Sequence, residues 1–216
     1  MARDVKPMPA GLGFRVKSGW AMAALLAGPS SAPRLVRCET VLLSDPQVPH
    51  SKQPYHAALE LPEKEGKASV QKLRKVVSDA AKRSVEELLK QASAAGYEVR
   101  GAALVVGSVV DPASLHNEHI RAHALEGQLF RTVLEDALHA REIACAVFLE
   151  KGAYAKAAIT LGMTEAKAKA KSTTAGLGKS HDGSWRAEEK LAALAAWIAL
   201  TTSNKREKSS HKLFDT

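Results

Sequence analysis

The chain has 216 residues, of which 45% are hydrophobic, 25% charged and 5% aromatic, the balance of one soluble domain with appendages. The net charge of +8 and pI near 9.5 permit attraction to polyanions, although several of the cations crowd into the polar segment "SNKREKSSHKLFDT". No apolar run reaches membrane length, "MARDVKPMPAG" lacks the apolar region of a signal peptide, and Cys38 and Cys145 have no metal-ligand spacing. These features point to a cytoplasmic protein with two buried, reduced thiols.

The elements follow in chain order. "GLGFRVKSGWAMAALLAG" is apolar from Leu12 to Ala27 and reads as one opening strand with Gly19 inside it. "GPSSAPR" breaks the chain. "RLVRCETVLLS" is a second strand, and "YHAALELP" a third short one. The period then changes. In "KASVQKLRKVVSDAAKRSVEELLKQASAAG", Val70, Leu73, Val77, Ala80, Ser84 and Leu88 share one helical face, and Gly96 suits the left-handed position after a helix.

"YEVRGAALVVGSVVD" reads as a strand buried on both faces, as in the centre of a parallel sheet. A second helix is expected from about Pro112 to Glu142, with Pro112 in its first turn. "IACAVFLE" supplies a fifth strand, and the lysine-dotted stretch 152–184 a connector of broken helix and glycine turns. "WRAEEKLAALAAWIAL" reads as an amphipathic helix with Leu191, Leu194, Ala195 and Ile198 inward. The order strand-strand-strand-helix-strand-helix-strand-helix implies a mixed five-stranded α/β sheet with helices on both faces. Residues 11–201 are expected to form one domain, with an extension at 1–10 and a polar, disordered tail at 202–216.

This order is that of the ribonuclease-H-like fold, and in detail the chain resembles the RuvC-type Holliday-junction resolvases. "LGFRVKSGWA" is similar to the family's opening pattern at Gly13, Gly19, Trp20 and Ala21. "NEHIRAHALEG" resembles its post-strand helix through Asn117 and Gly127. "KAAITLGMTEAKAKAKS" resembles a later segment through Lys156, Gly162 and Lys167, and "SWRAEEKLAALAAWIAL" resembles its closing helix. The resemblance runs from about Gly11 to Leu200. It implies nucleic acid, DNA or RNA, as a partner, and two Mg²⁺ ions held by carboxylates of the first strand, of the fourth strand or following helix, and of the last helix.

This sequence departs from that acid set. Arg15 stands where the first-strand acid is expected, and a guanidinium there opposes a cation. Asp111 lies several residues beyond the second acid, and Ala187 and Lys190 fall where the last helix carries acids, beside Glu188 and Glu189. A rearranged catalytic set would therefore draw on Asp111, Glu118, Glu188 and Glu189, with Mg²⁺ or Mn²⁺ as its cofactor.

Other groups carry chemistry of their own. His116, His119 and His123, spaced by three and four, would form one stripe on a helix. Such histidines bind a transition metal, with Glu118 or Glu126 completing the set or acting as a base, or else form a solvated face. "TAGLGKS" has Thr173 where a phosphate loop needs glycine, and no strand precedes it. Phosphate contacts are instead assigned to Arg15, Lys17, Lys156, Lys167, Lys169, Lys171 and Lys179. A salt bridge from Arg15 to Glu188 or Glu189 is the alternative for that residue. Trp20, Trp185 and Trp197 are expected as core anchors.

Two readings follow. One is a nucleic-acid-binding or partner-binding ribonuclease-H-like module without the two-metal reaction. The other is a metal-dependent phosphodiesterase with a rearranged His/Asp/Glu site. Neither requires a membrane or a small-molecule substrate, and both leave a homodimer open.

Overall fold

The computed structural model describes residues 6–173 and 185–212. A five-stranded sheet in the order β3-β2-β1-β4-β5 carries the fold. Its strands are β1 (Met8–Lys17), β2 (Trp20–Ala27), β3 (Arg34–Leu42), β4 (Tyr97–Val106) and β5 (Cys145–Leu149). β2 runs antiparallel to both β1 and β3, whereas β4 is parallel to both β1 and β5. This is the ribonuclease-H-like arrangement, reached by a different division of the first fifty residues than the sequence suggests.

The opening apolar run is two strands, not one. Lys17 pairs with Trp20 across the two-residue turn Ser18-Gly19, with Gly19 at φ +82°, the conformation a tight hairpin asks of glycine. Both strands are buried on both faces, so their apolar residues run on without alternation and hide the turn. "YHAALELP" is a helix, α1 (Pro54–Leu59). Pro54 stands in its first turn, where the missing N–H costs no hydrogen bond, and a run this short has no period to separate helix from strand.

α2 (Glu63–Ala94) buries Leu73, Val77 and Ala80 of the expected stripe, leaves Val70, Ser84 and Leu88 half-buried and adds Ala81 and Val85; Gly96 follows at φ +82°. α3 (Glu118–His139) is shorter than expected. Asp111 instead opens a separate 3₁₀ turn at Pro112–Ser114, and Asn117 caps α3, its Oδ1 accepting from Ile120 N at 3.0 Å. α4 (Ala153–Leu161) and α5 (Glu165–Thr173) form the broken connector, divided at Gly162 with φ +65°. α6 (Ala187–Lys212) closes the fold and carries helix well into the expected tail. At the other end, β1 begins inside the expected extension, Met8 pairing with Tyr97. Among the described residues no helix is long and apolar enough to cross a membrane.

The sheet divides two cores. Ala10, Leu12, Phe14 and Val16 of β1 face Val77, Val85, Phe130 and Leu134 of α2 and α3. The opposite side of β1 presents Gly11, Gly13, Arg15 and Lys17 to α6. A Cβ on Gly13 would lie 2.1 Å from both Ala192 O and Ala196 N, and one on Gly11 2.4 Å from Ala196 O. The two backbones touch, which only glycine on the strand permits. α6 is not amphipathic here: every residue from Leu191 to Leu200 is buried. One side of it packs on β1 and β2 through Ala192, Ala193, Ala196 and Trp197. The other is covered by α4 and α5, around Ala153, Ala157 and Ala168. Trp197 is a core anchor as expected, its Nε1 donating to Ser30 O at 2.7 Å. Trp20 and Trp185 pack against the same cluster.

Candidate functional site

Two constellations stand on opposite faces of the sheet. The first lies where β1, β4 and β5 end. Arg15 is on the α6 side of β1, one alternation past Gly13, and only 3% of it is exposed. A guanidinium so deeply placed needs partners for its charge and its N–H groups. One terminal nitrogen binds the carboxylate of Glu150, the residue after β5. The other donates to Val16 O at 2.9 Å and, at the long limit of 3.5 Å, to Val105 O. Glu150 is itself held at the sheet edge, its N–H donating to Val106 O at 2.8 Å. The partner of Arg15 is thus Glu150, rather than either acid of the closing helix.

Those two acids are engaged separately. Glu188 accepts from Lys17 at 3.5 Å. Its own backbone N–H at the helix start, aided by Lys17 and Arg15, holds its carboxyl below the ordinary range against the opposing effect of burial. Glu189 is buried and accepts from Arg186 N at 3.0 Å, a capping-box contact at the start of α6.

A pair of Mg²⁺ ions requires several hard oxygen ligands around one point. On this chain the central position is a cation, the acid beside it already neutralises that cation, and the helix acids serve Lys17 and a cap. The donor set does not fit the two-metal arrangement. Asp111 and Glu118 are likewise engaged near their own backbone: Asp111 Oδ1 accepts from Ala113 N at 3.0 Å, and Glu118 pairs with Arg121 at 3.5 Å.

The cations assigned to phosphate divide by exposure. Lys156, Lys167 and Lys169 are exposed on α4 and α5, the layer covering α6. Lys171 lies over the Trp197 ring at 5.5 Å from its centroid. Lys17 is partly exposed beside Glu188. Arg15 is enclosed, and Lys179 lies outside the described residues.

The second constellation lies across the sheet, between α1 and α3. His119 and His123 share one face of α3, as their spacing implies. His116, ahead of the helix cap, does not join them. The third member is His56 of α1, which the sequence reading places in a strand. The ring centroids of His56, His119 and His123 are 4.2–4.7 Å apart, and one ligand atom from each lies within 4.8 Å of the others. Behind them Glu126 is fully buried. Its Oε1 is 2.8 Å from His56 Nδ1 and accepts from His56 N at 3.2 Å. Glu150 and His56 are the residues that sequence reasoning misses. Glu150 could be found as the acid ending an apolar strand, whereas His56 has no local signal.

No protein-family model matches the chain, and no curated protein matches it. Among solved structures it is similar to RuvC of Thermus thermophilus, at 13% identity over 92% of this chain and 96% of that one, with a TM-score of 0.49. It is also similar to T. thermophilus RuvC in complex with Holliday junction substrate, at 13% identity with the same coverage and a TM-score of 0.45. The yeast mitochondrial Holliday junction resolvase Ydc2 is similar at 11% identity, over 98% of this chain and 87% of that one, with a TM-score of 0.47.

Proposed function

We propose that the chain is a nucleic-acid-binding ribonuclease-H-like domain without two-metal nuclease chemistry. The observation that carries this reading is the enclosed Arg15 guanidinium paired with Glu150 at the strand ends. It replaces a cation-binding pocket with an internally neutralised one. Binding then falls to the rim. Lys17, Lys156, Lys167, Lys169 and Lys171 all belong to the α6 side of the sheet or its cover, where they meet a phosphate backbone by charge rather than by reading bases. Arg15 shapes this surface from beneath and does not touch the ligand.

The test is fluorescence anisotropy of the full chain on single-stranded and four-way branched DNA, in chelator, across a salt series. The expected result is an affinity that falls linearly on logarithmic axes. In a Lys167→Glu/Lys169→Glu variant the slope should drop by about one per lysine removed. Adding Mg²⁺ or Mn²⁺ should leave the DNA intact. Salt-insensitive binding, or none, refutes the binding reading. Cleavage restored by Mn²⁺ and abolished by Glu118→Gln or His119→Ala would instead establish the phosphodiesterase reading, which draws on the histidine cluster.

A further inference from the structure

The histidine cluster has the features of a metal site in its own right. Metal-ligating histidines usually donate their second ring nitrogen to a carboxylate, which fixes the tautomer and raises ligand basicity. His56 shows this arrangement: its Nδ1 lies 2.8 Å from Glu126 Oε1, which turns Nε2, on the far side of the ring, away from the carboxylate. Among the described residues that Nε2 is buried without a hydrogen-bond partner, and so is the second oxygen of Glu126. A fully buried carboxyl group with one oxygen unpaired lacks the compensation that a buried polar group requires. Positive charge bound to the far side of the imidazole supplies it.

We propose that His56, His119 and His123 bind one divalent ion of the zinc class, with Glu126 orienting His56. Three imidazole nitrogens suit a borderline ion, whereas Mg²⁺ and Ca²⁺ demand oxygen. Bonds of about 2.0–2.1 Å place tetrahedral ligand atoms roughly 3.3 Å apart. The observed spread, within 4.8 Å, closes by side-chain rotation, for which the exposed His119 and His123 are free. Their exposure leaves the fourth position to water. The ion ties α1 to α3, two elements otherwise joined by packing and the Glu126 contacts. This site lies across the sheet from α6 and stands independently of the nucleic-acid reading.

The untagged full chain, stripped with chelator, is titrated with Co²⁺ and followed by visible absorption, then challenged with Zn²⁺. The expected result is a tetrahedral Co²⁺ band that saturates at one equivalent and is bleached by Zn²⁺, with excess Mg²⁺ without effect. His119→Ala and His123→Ala, at exposed positions that leave the fold intact, should each abolish saturation at one equivalent. His116→Ala should titrate as the parent does. Glu126→Gln should still bind, about 10- to 100-fold more weakly. Absence of the band in the parent chain, its survival in both exposed-histidine variants, equal loss in His116→Ala, or displacement by Mg²⁺ overturns the proposal.

Discussion

The Arg15–Glu150 pair is unequal in its burial, and that inequality has a measurable consequence. The Arg15 side chain is 4% exposed and the Glu150 side chain 46%. In Arg15→Met, Glu150 loses its partner but turns to water. The cost is then lost hydrogen bonds and imperfect packing, about 1–2 kcal/mol. In Glu150→Ala, the guanidinium keeps only the carbonyls of Val16 and Val105 and cannot reach solvent without disturbing α6. Removing one partner of a fully buried pair costs about 3–5 kcal/mol; since Glu150 is half hydrated, the figure here is reduced to about 2–4 kcal/mol. Urea unfolding of the two variants should therefore place Glu150→Ala below Arg15→Met by about 1.5 kcal/mol, read from the midpoints at constant slope. The double variant should lose less stability than the sum of the single losses, since removing both charges leaves none stranded. Equal midpoints, or a less stable Arg15→Met, would refute the claim that the guanidinium is sealed and the carboxylate is not.

Three further expectations follow from the same structure. Gly13→Ala puts a methyl group 2.1 Å from α6 backbone atoms that no rotamer change relieves, so a loss of about 3 kcal/mol or more is expected in the same unfolding assay; Gly107→Ala, with nothing within 4 Å, should stay within about 0.5 kcal/mol. Asn117→Ala removes the cap of α3 and should cost about 1 kcal/mol, seen as a lower thermal midpoint, while Asn117→Ser recovers most of it. Burial pushes both thiols up from an ordinary 9.0 to about 12, with Glu189 and Glu39 adding to the effect at Cys38 and Glu135 at Cys145. Native protein at pH 8 should thus react with a disulfide reagent far more slowly than protein in urea. For stability the sign is fixed. The folded chain holds these protons more tightly than the unfolded one, so the contribution is complete below about pH 9 and declines as pH rises toward 12. Cys145→Ala should accordingly flatten the fall in unfolding midpoint across that alkaline window.

The mixed α/β class, the identity of β3, β4 and β5, the long α2 and the glycine after it are legible in the sequence. Each rests on local physics: a period of 3.6, a run of branched residues, or a left-handed terminus. The locally silent features are those that the second half of the chain decides. Gly11 and Gly13 resemble turn glycines until α6 is laid against them. α6 itself shows a single apolar stripe in its spacing, yet it is buried on every side because α4 and α5 cover what the sheet does not. A six-residue helix such as α1 has no period of its own to announce it.

The same division governs chemistry. His119 and His123 are visible as a pair because one helix carries both at a spacing of four, and Arg15 is visible as a cation inside an apolar strand. Their partners are not, because His56 and Glu150 arrive from 63 and 135 residues away (119 − 56 and 150 − 15). Local pattern determines which face of an element is apolar and which residue interrupts it. Whether that interruption becomes an ion pair, a cap or a ligand depends on what another element places within 3 Å, and only the folded chain sets that distance.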